Sequence, residues 1–376
     1  MAVKVTSRQA LAWRMHRQLL DPIGRLPVSG VVRRLCGVQA QVASSAELAI
    51  RLRRERSRPS EVDRALSTGR LIKTWAMRGA LHLLTPKEAG AFLSLMASGR
   101  AWDRPSWRRY FGMTAEEWVA AMDALRHVVG EALADRPHTR EELAAAVGTQ
   151  RGLRRLAEEL GSSWGTLLKP LAWQGELCFG PSRDGRATFM RPDAATSHWS
   201  GIPDPDAAAR VAIAAYLAAH GPANIDAFGN WLTGGWFGKR RLRTWFAALG
   251  DQVVEIEVDG DRAYVLAEDL DELASARPTT AVRLLPGFDQ YVLGPGTADG
   301  RVVPPARRAA VSRQAGWISP VVVAGGVVCG TWELKGDHVG VTWFREAGRL
   351  PRRALEYELA RLSSILDRRL GMAIKI

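Results

Sequence analysis

Two carboxamides set two residues apart in an otherwise apolar run are the side chains best placed to do chemistry: Cys36-Gly37-Val38-Gln39-Ala40-Gln41-Val42-Ala43. In extended or irregular backbone, residues i and i+2 point to the same side, so Gln39 and Gln41 are expected to converge on one point. A carboxamide both donates and accepts hydrogen bonds but is no strong base. Such a pair can orient a water and set its dipoles against a developing positive charge. Two surface glutamines, or a hydrogen-bonded pair at a helix end, fit the same residues. The usual catalytic patterns are absent: no GxxxxGK[ST], no GxSxG and no paired cysteine clusters. The seven histidines are scattered, with no HExxH, so neither a metal site nor a cofactor is expected.

The charge balance narrows the partner. The chain has 376 residues, and 52 Lys+Arg against 39 Asp+Glu gives a net charge of +13. An excess of that size favours a polyanion, because each neutralised phosphate releases counterions; an Arg-rich background proteome would produce it too. The apolar stretch Leu11 to Leu20 is interrupted by Arg14, His16 and Arg17, which neither a signal peptide nor a membrane span tolerates. The three cysteines, Cys36, Cys178 and Cys329, are far apart and odd in number. Reduced thiols in a cytoplasmic protein are expected.

The elements that must position these residues repeat a theme of short helices followed by a hairpin. The first set opens at a capping box, Thr6-x-x-Gln9, with Leu11, Met15 and Leu19 on one helical face and Pro22 and Gly24 ending it. Helices are expected through Val31 to Leu35 and after Pro59, then strands Leu71 to Trp75 and Ala80 to Leu84 about a Met77-Arg78-Gly79 turn. Thr85-Pro86-Lys87-Glu88 starts a further helix. The second set has a capped helix at Thr139-x-x-Glu142, a helix over 163–173, and strands 176–179 and 187–191 around Asp184-Gly185. The third has a helix over 207–219, a short helix near Asn224, a basic helix after Gly238, and strands 254–258 and 263–266 joined at Asp259-Gly260. Three short helices and a two-stranded wing make a winged helix-turn-helix. After a Gly/Pro-rich stretch, Gly294 to Pro305, read as an exposed loop, come strands 318–323, 327–334 and 339–344. An amphipathic helix bearing Leu355, Leu359, Leu362 and Leu366 is expected to end the chain.

The expected fold is therefore α+β: three tandem winged helix-turn-helix units and a small C-terminal sheet with a terminal helix, around a concave basic cleft. The segments are 1–112, 113–200, 201–275 and 276–376. Within them, Arg78 and His82 on the first wing, and Lys239, Arg240, Arg241 and Arg243 on the basic helix, are candidate DNA contacts or solvated faces. Trp102, Trp107, Tyr110 and Phe111 are candidate stacking residues or core.

Several blocks resemble the AlkZ-like winged-helix DNA glycosylases, the family that includes YcaQ-type crosslink-repair enzymes. They are Val38 to Gln41 with Ser44 to Leu48, Thr74 to His82, Leu284 to Tyr291, and Val322 to Trp332. The resemblance implies a Gln-x-Gln catalytic centre, here Gln39 and Gln41. It also implies a β-hairpin that reaches into DNA, whose expected tip is Ala324-Gly325-Gly326, and it makes Asp289 a catalytic or structural carboxylate. YcaQ-type members carry Gln-x-Asp, so Gln41 sides with the AlkZ branch, which is associated with self-resistance to DNA-alkylating natural products. The implied partner is double-stranded DNA with an alkylated guanine, bound by a monomer. The nearest lysines in sequence to the motif are Lys4 and Lys73, which favours hydrolysis without a Schiff base. The competing reading is a winged-helix regulator or architectural protein without catalysis, which has no need of the amide pair.

Overall fold

A computed structural model describes residues 3–162 and 166–376. By packing, the chain forms two units: Met1–Val62 joined to Ile213–Ile376, and the intervening Asp63–Ala212. This division cuts across the four consecutive segments read along the sequence.

In the discontinuous unit, helix Ser7–Arg17 starts at the expected capping box. Thr6 Oγ1 accepts from the Gln9 N–H at 3.2 Å, and Gln9 Oε1 accepts from the Thr6 N–H at 3.0 Å. The helix ends sooner than its apolar spacing suggests, and Leu19 lies beyond it at φ 58°. Helices Val28–Arg34 and Ala43–Arg51 follow. The second was not foreseen: Val42 offers no capping side chain, and the buried face is largely Ala46, Ala49 and Ile50. Helix Ile225–Thr233 begins at Asn224, whose side chain accepts from the Ala227 N–H at 2.8 Å. The basic helix Lys239–Ala247 and the hairpin Val253–Val258/Asp261–Leu266 come next. Asp259 and Gly260 sit at φ 48° and 91°, as a two-residue hairpin turn needs. An unforeseen strand, Lys4–Val5, adds parallel to Val253–Val258.

The C-terminal sheet has five strands in the order Val282–Leu285, Val321–Ala324, Val327–Lys335, His338–Trp343, Gly371–Lys375. Helix Arg352–Leu366 packs Leu355 and Leu362 onto it. The chain does not end in that helix. Asp367, at φ 53°, caps it, and Gly371–Lys375 returns as a parallel strand beside His338–Trp343. The Gly/Pro-rich stretch is also not an exposed loop throughout, because Val302 and Val303 are buried in the core with Leu11, Met15 and Leu285.

The inserted unit holds the hairpin Ile72–Trp75/Leu81–Leu84, paired Ile72 to Leu84 and Trp75 to Leu81 about Met77–Gly79. Capping boxes start Arg140–Gly148, as expected, and the 18-residue helix Ala115–Ala132, which was not read from the sequence. The helix expected over 163–173 is observed as Leu168–Trp173; its expected start, 163–165, lies outside the described residues. Strands Cys178–Phe179 and Thr188–Met190 pair antiparallel, and Asp184 and Gly185 take positive φ. Trp75 stands 4.8 Å from Phe179 and 5.9 Å from Phe189, ring centre to ring centre. Trp102 and Phe111 are buried, Phe111 stacking on Trp118, so two members of the aromatic cluster are core while Tyr110 is exposed.

The tip Ala324-Gly325-Gly326 corrects a further expectation. Gly325 and Gly326 do form the turn, at φ 59° and 86°, but the tip is packed rather than presented. The Gly325 N–H donates to Ala281 O at 3.0 Å, and the Tyr291 hydroxyl donates to Gly326 O at 2.6 Å. A Cβ on Gly326 would lie 2.6 Å from Leu11 Cβ. Gly326 is buried against the Ser7–Arg17 helix, while Ala324 and Gly325 are partly exposed, so the tip is not the freely projecting turn expected. Gly326→Ala should destabilise the protein by about 1–3 kcal/mol through overpacking and positive φ, read as a lower unfolding midpoint. A neutral result would mean that the tip stands free.

Candidate active site

The Gln-x-Gln motif occupies the link between two helices. At the end of Val28–Arg34, the Cys36 N–H donates to Arg33 O at 3.0 Å and the Gly37 N–H to Val32 O at 2.9 Å. Cys36 and Gly37 take φ 57° and 92°. This left-handed stop satisfies helix-end carbonyls and swings the chain into the short extended piece Val38–Gln39. The chain then bends at Gln41 and Val42 and enters helix Ala43–Arg51. Extended geometry thus covers only the first half of the motif. Gln39 is 8% exposed, flanked by Val38 and Ala40 at 1% and 3%, while Gln41 is open to solvent. One carboxamide is buried and the other stands at the surface.

A buried ion pair fixes the far end of that helix. Arg53 and Asp289 have no exposed side-chain surface and meet through two bonds of 2.7 Å. Arg53 also donates to Gln18 O at 3.0 Å and Ala49 O at 2.9 Å. Asp289 Oδ1 accepts in addition from the Tyr291 N–H at 2.8 Å. Both carboxylate oxygens are engaged within the fold, the arrangement that the structural of the two readings of Asp289 calls for. Arg51 donates to Ile365 O, and Arg361 to Leu52 O at 2.8 Å, tying the same segment to helix Arg352–Leu366. Sequence reasoning missed these arginines, whose partners lie hundreds of residues away.

The remaining candidates divide by exposure. Lys239, Arg240, Arg241 and Arg243 are all exposed on their helix. Lys239 pairs with Asp226 at 3.1 Å, and the Arg241 guanidinium lies 4.7 Å from the centre of the Trp245 ring. Arg78 is half-buried in the hairpin turn at φ 55°. His82 does not fit a phosphate contact. It is buried, its Nδ1 lies 2.9 Å from Ala80 O, and burial pushes its pKa down to about 3, leaving a neutral ring. Among the described residues, no group of three or more His, Cys, Asp and Glu side chains could hold a metal ion. No helix among them is long and apolar enough to cross a membrane.

Comparison with known proteins decides what this scaffold is. The family model described as "DNA glycosylase AlkZ-like" matches residues 32–365. The chain belongs to the AlkZ-like DNA glycosylase family. It is 47% identical over 362 residues to a Streptomyces sahachiroi protein named "Interstrand DNA cross-link repair glycosylase", a match covering 96% of each chain. It also superposes on the solved structure of the Streptomyces sahachiroi DNA glycosylase AlkZ. The TM-score is 0.95 at 46% identity, over 99% of this chain and 100% of that one. The mixed α+β fold is thereby shared, and the AlkZ-like chain is an enzyme, a DNA glycosylase.

Two outcomes test the supports of this AlkZ-like glycosylase. Asp289→Asn leaves Arg53 without its counter-charge and should lower stability by about 3–5 kcal/mol, measured by denaturant unfolding; an unchanged midpoint would refute the anchoring role. For His82, the unfolded imidazole binds a proton below the ordinary value of about 6.5 and the folded one only near 3. Stability contributed by the neutral ring is therefore lost as pH falls through that window. Relative to His82→Asn, wild type should show an extra slope of ~1.4 kcal/mol per pH unit there. Parallel profiles would count against a buried neutral ring.

Proposed function

We propose that this AlkZ-like glycosylase hydrolyses the N-glycosidic bond of bulky, cationic N7-alkylguanines in duplex DNA, interstrand crosslinks included, as a monofunctional enzyme. The observation that carries the reading is the Gln39–Gln41 link, one amide buried and the next open to solvent. The name of the Streptomyces sahachiroi relative supports crosslinks as the substrate class. The Gln39-x-Gln41 pattern of this chain, rather than Gln-x-Asp, favours the branch associated with self-resistance to a DNA-alkylating natural product. We read its three helix-and-hairpin sets as winged helix-turn-helix units, acting in a monomer.

The chemistry suits neutral amides. A guanine alkylated at N7 is already cationic, so it departs from C1′ with little general-acid help. What remains is to place a water at C1′ and to stabilise an oxocarbenium-like sugar. A carboxamide oxygen can accept from the water and face the developing charge, without the basicity that would attack undamaged nucleotides. The exposed cations Arg240 and Arg243, with Arg78, are assigned to the DNA backbone.

Gln39→Ala and Gln41→Ala should each slow single-turnover excision of an N7-alkylguanine adduct by roughly one to three powers of ten with DNA affinity nearly unchanged. The double variant should fall short of the product of the two effects if both amides serve one water. Wild-type excision rates in both single variants, with enzyme saturating, would remove the motif from the chemistry.

A further inference from the structure

A cleft beside the far end of helix Ala43–Arg51 is rich in donors and poor in open acceptors. It has a volume of about 610 Å³ and lies between residues 54–61 and helix Arg352–Leu366, all within the discontinuous unit. Tyr357, Arg361 and Ser364 line its helical wall, and their i, i+4, i+7 spacing puts them on one face. The two walls are tied together where Arg51 donates to Ile365 O and Arg361 to Leu52 O. The nine residues of helix Ala43–Arg51 span about 13 Å. Gln39 and Gln41 precede the opposite end of that helix, so the cleft is not the amide site.

Four arginines and two glutamates line the cleft, and both glutamates are engaged. Glu61 accepts from the Arg54 guanidinium and from the Arg58 N–H at 2.8 Å, and Glu55 accepts from Arg25 at 2.8 Å. Arg361 is matched by Glu358 at 2.7 Å. Arg56 and Arg58 are exposed, and among the described residues neither guanidinium makes a hydrogen bond or a salt bridge. The hydroxyls of Ser364 and of Tyr357, which is 66% exposed, are likewise without a protein partner there. Two guanidiniums and two hydroxyls therefore stand open in one cleft, beside carboxylates that already have their cations. An anion with several acceptor oxygens suits that set, and a phosphate can accept from two guanidiniums at once. The volume falls within the roughly 300–1,000 Å³ of ligand sites, which leaves room for more than a bare ion.

We propose that this cleft takes the phosphate of a nucleotide, with Arg56 and Arg58 donating to its oxygens and Tyr357 beside the attached nucleoside. The phosphate can come from a strand of duplex DNA or from a free mononucleotide. The first source rests on the reading of DNA as substrate; the second does not.

The test compares wild type with the double variant Arg56→Gln/Arg58→Gln. In one arm, anisotropy of a fluorescein-labelled undamaged duplex is followed across a potassium chloride series. A strand phosphate predicts a roughly threefold to tenfold loss of affinity in the variant, and a slope of log K against log salt flatter by about 0.9. In the other arm, the unfolding midpoint is followed with dGMP at constant ionic strength. A free nucleotide predicts a midpoint that rises with dGMP in wild type and not in the variant, with duplex binding equal in both. Tyr357→Ala should weaken whichever response appears and keep the wild-type salt slope, because it removes no charge. Equal behaviour of wild type and double variant in both arms, or a lowered midpoint of the variant without ligand, would overturn the inference and leave the glycosylase reading standing. Failure of the wild-type protein to excise any N7-alkylguanine adduct would instead remove that reading, and the strand as a source with it.

Discussion

Arg53 and Asp289 are the constraint around which the discontinuous unit is organised. A guanidinium and a carboxylate with no exposed side-chain surface are tolerable only with near-complete hydrogen bonding. Meeting that demand brings together the end of helix Ser7–Arg17 through Gln18, the end of helix Ala43–Arg51 through Ala49, and the turn before Gln290–Leu293. From there Tyr291 reaches the hairpin tip at Gly326, and Gln18 donates to Ala219 O at 3.0 Å. The Gln-x-Gln link leads into helix Ala43–Arg51, whose far end this ion pair anchors.

Arginine does much of the internal stitching. Arg14 donates to the Gly221 and Pro222 carbonyls, Arg17 pairs with Asp269 at 3.2 Å, and Arg283 and Arg361 both reach the buried Glu358. Several of the arginines counted in the composition are thus engaged inside the fold. Residues 63–212 contribute only +3 of the +13. Helix Lys239–Ala247 carries four exposed cations, Lys239, Arg240, Arg241 and Arg243, of which Lys239 pairs with Asp226.

What could be read from the sequence was local chemistry. Capping boxes at Thr6 and Thr139 and the Asp-Gly turns at 184 and 259 declare themselves within a few residues, and they form as expected. The same Thr-x-x-Glu signature at Thr114 was there to be seen. Strands Lys4–Val5 and Gly371–Lys375 were not legible, because two to five residues acquire strand character only by pairing with a remote partner. The Gly325-Gly326 turn was legible as a turn, but its proximity to Leu11 was not. Turn chemistry specifies backbone angles and says nothing of what packs above them. The amide pair stood out because its apolar setting made two polar residues conspicuous; that one is buried and the other exposed depends on the helix stop at Cys36 and Gly37.

The chain order of the two units has a consequence for how the enzyme comes into being on the ribosome. Arg53 is made 236 residues before Asp289, so at ~5–20 residues per second it waits on the order of tens of seconds for its counter-ion. During that interval the whole of the inserted unit, residues 63–212, is made. The segment bearing Gln39 and Gln41 thus emerges early, while the ion pair that anchors the helix after it can close only once most of the chain has been made.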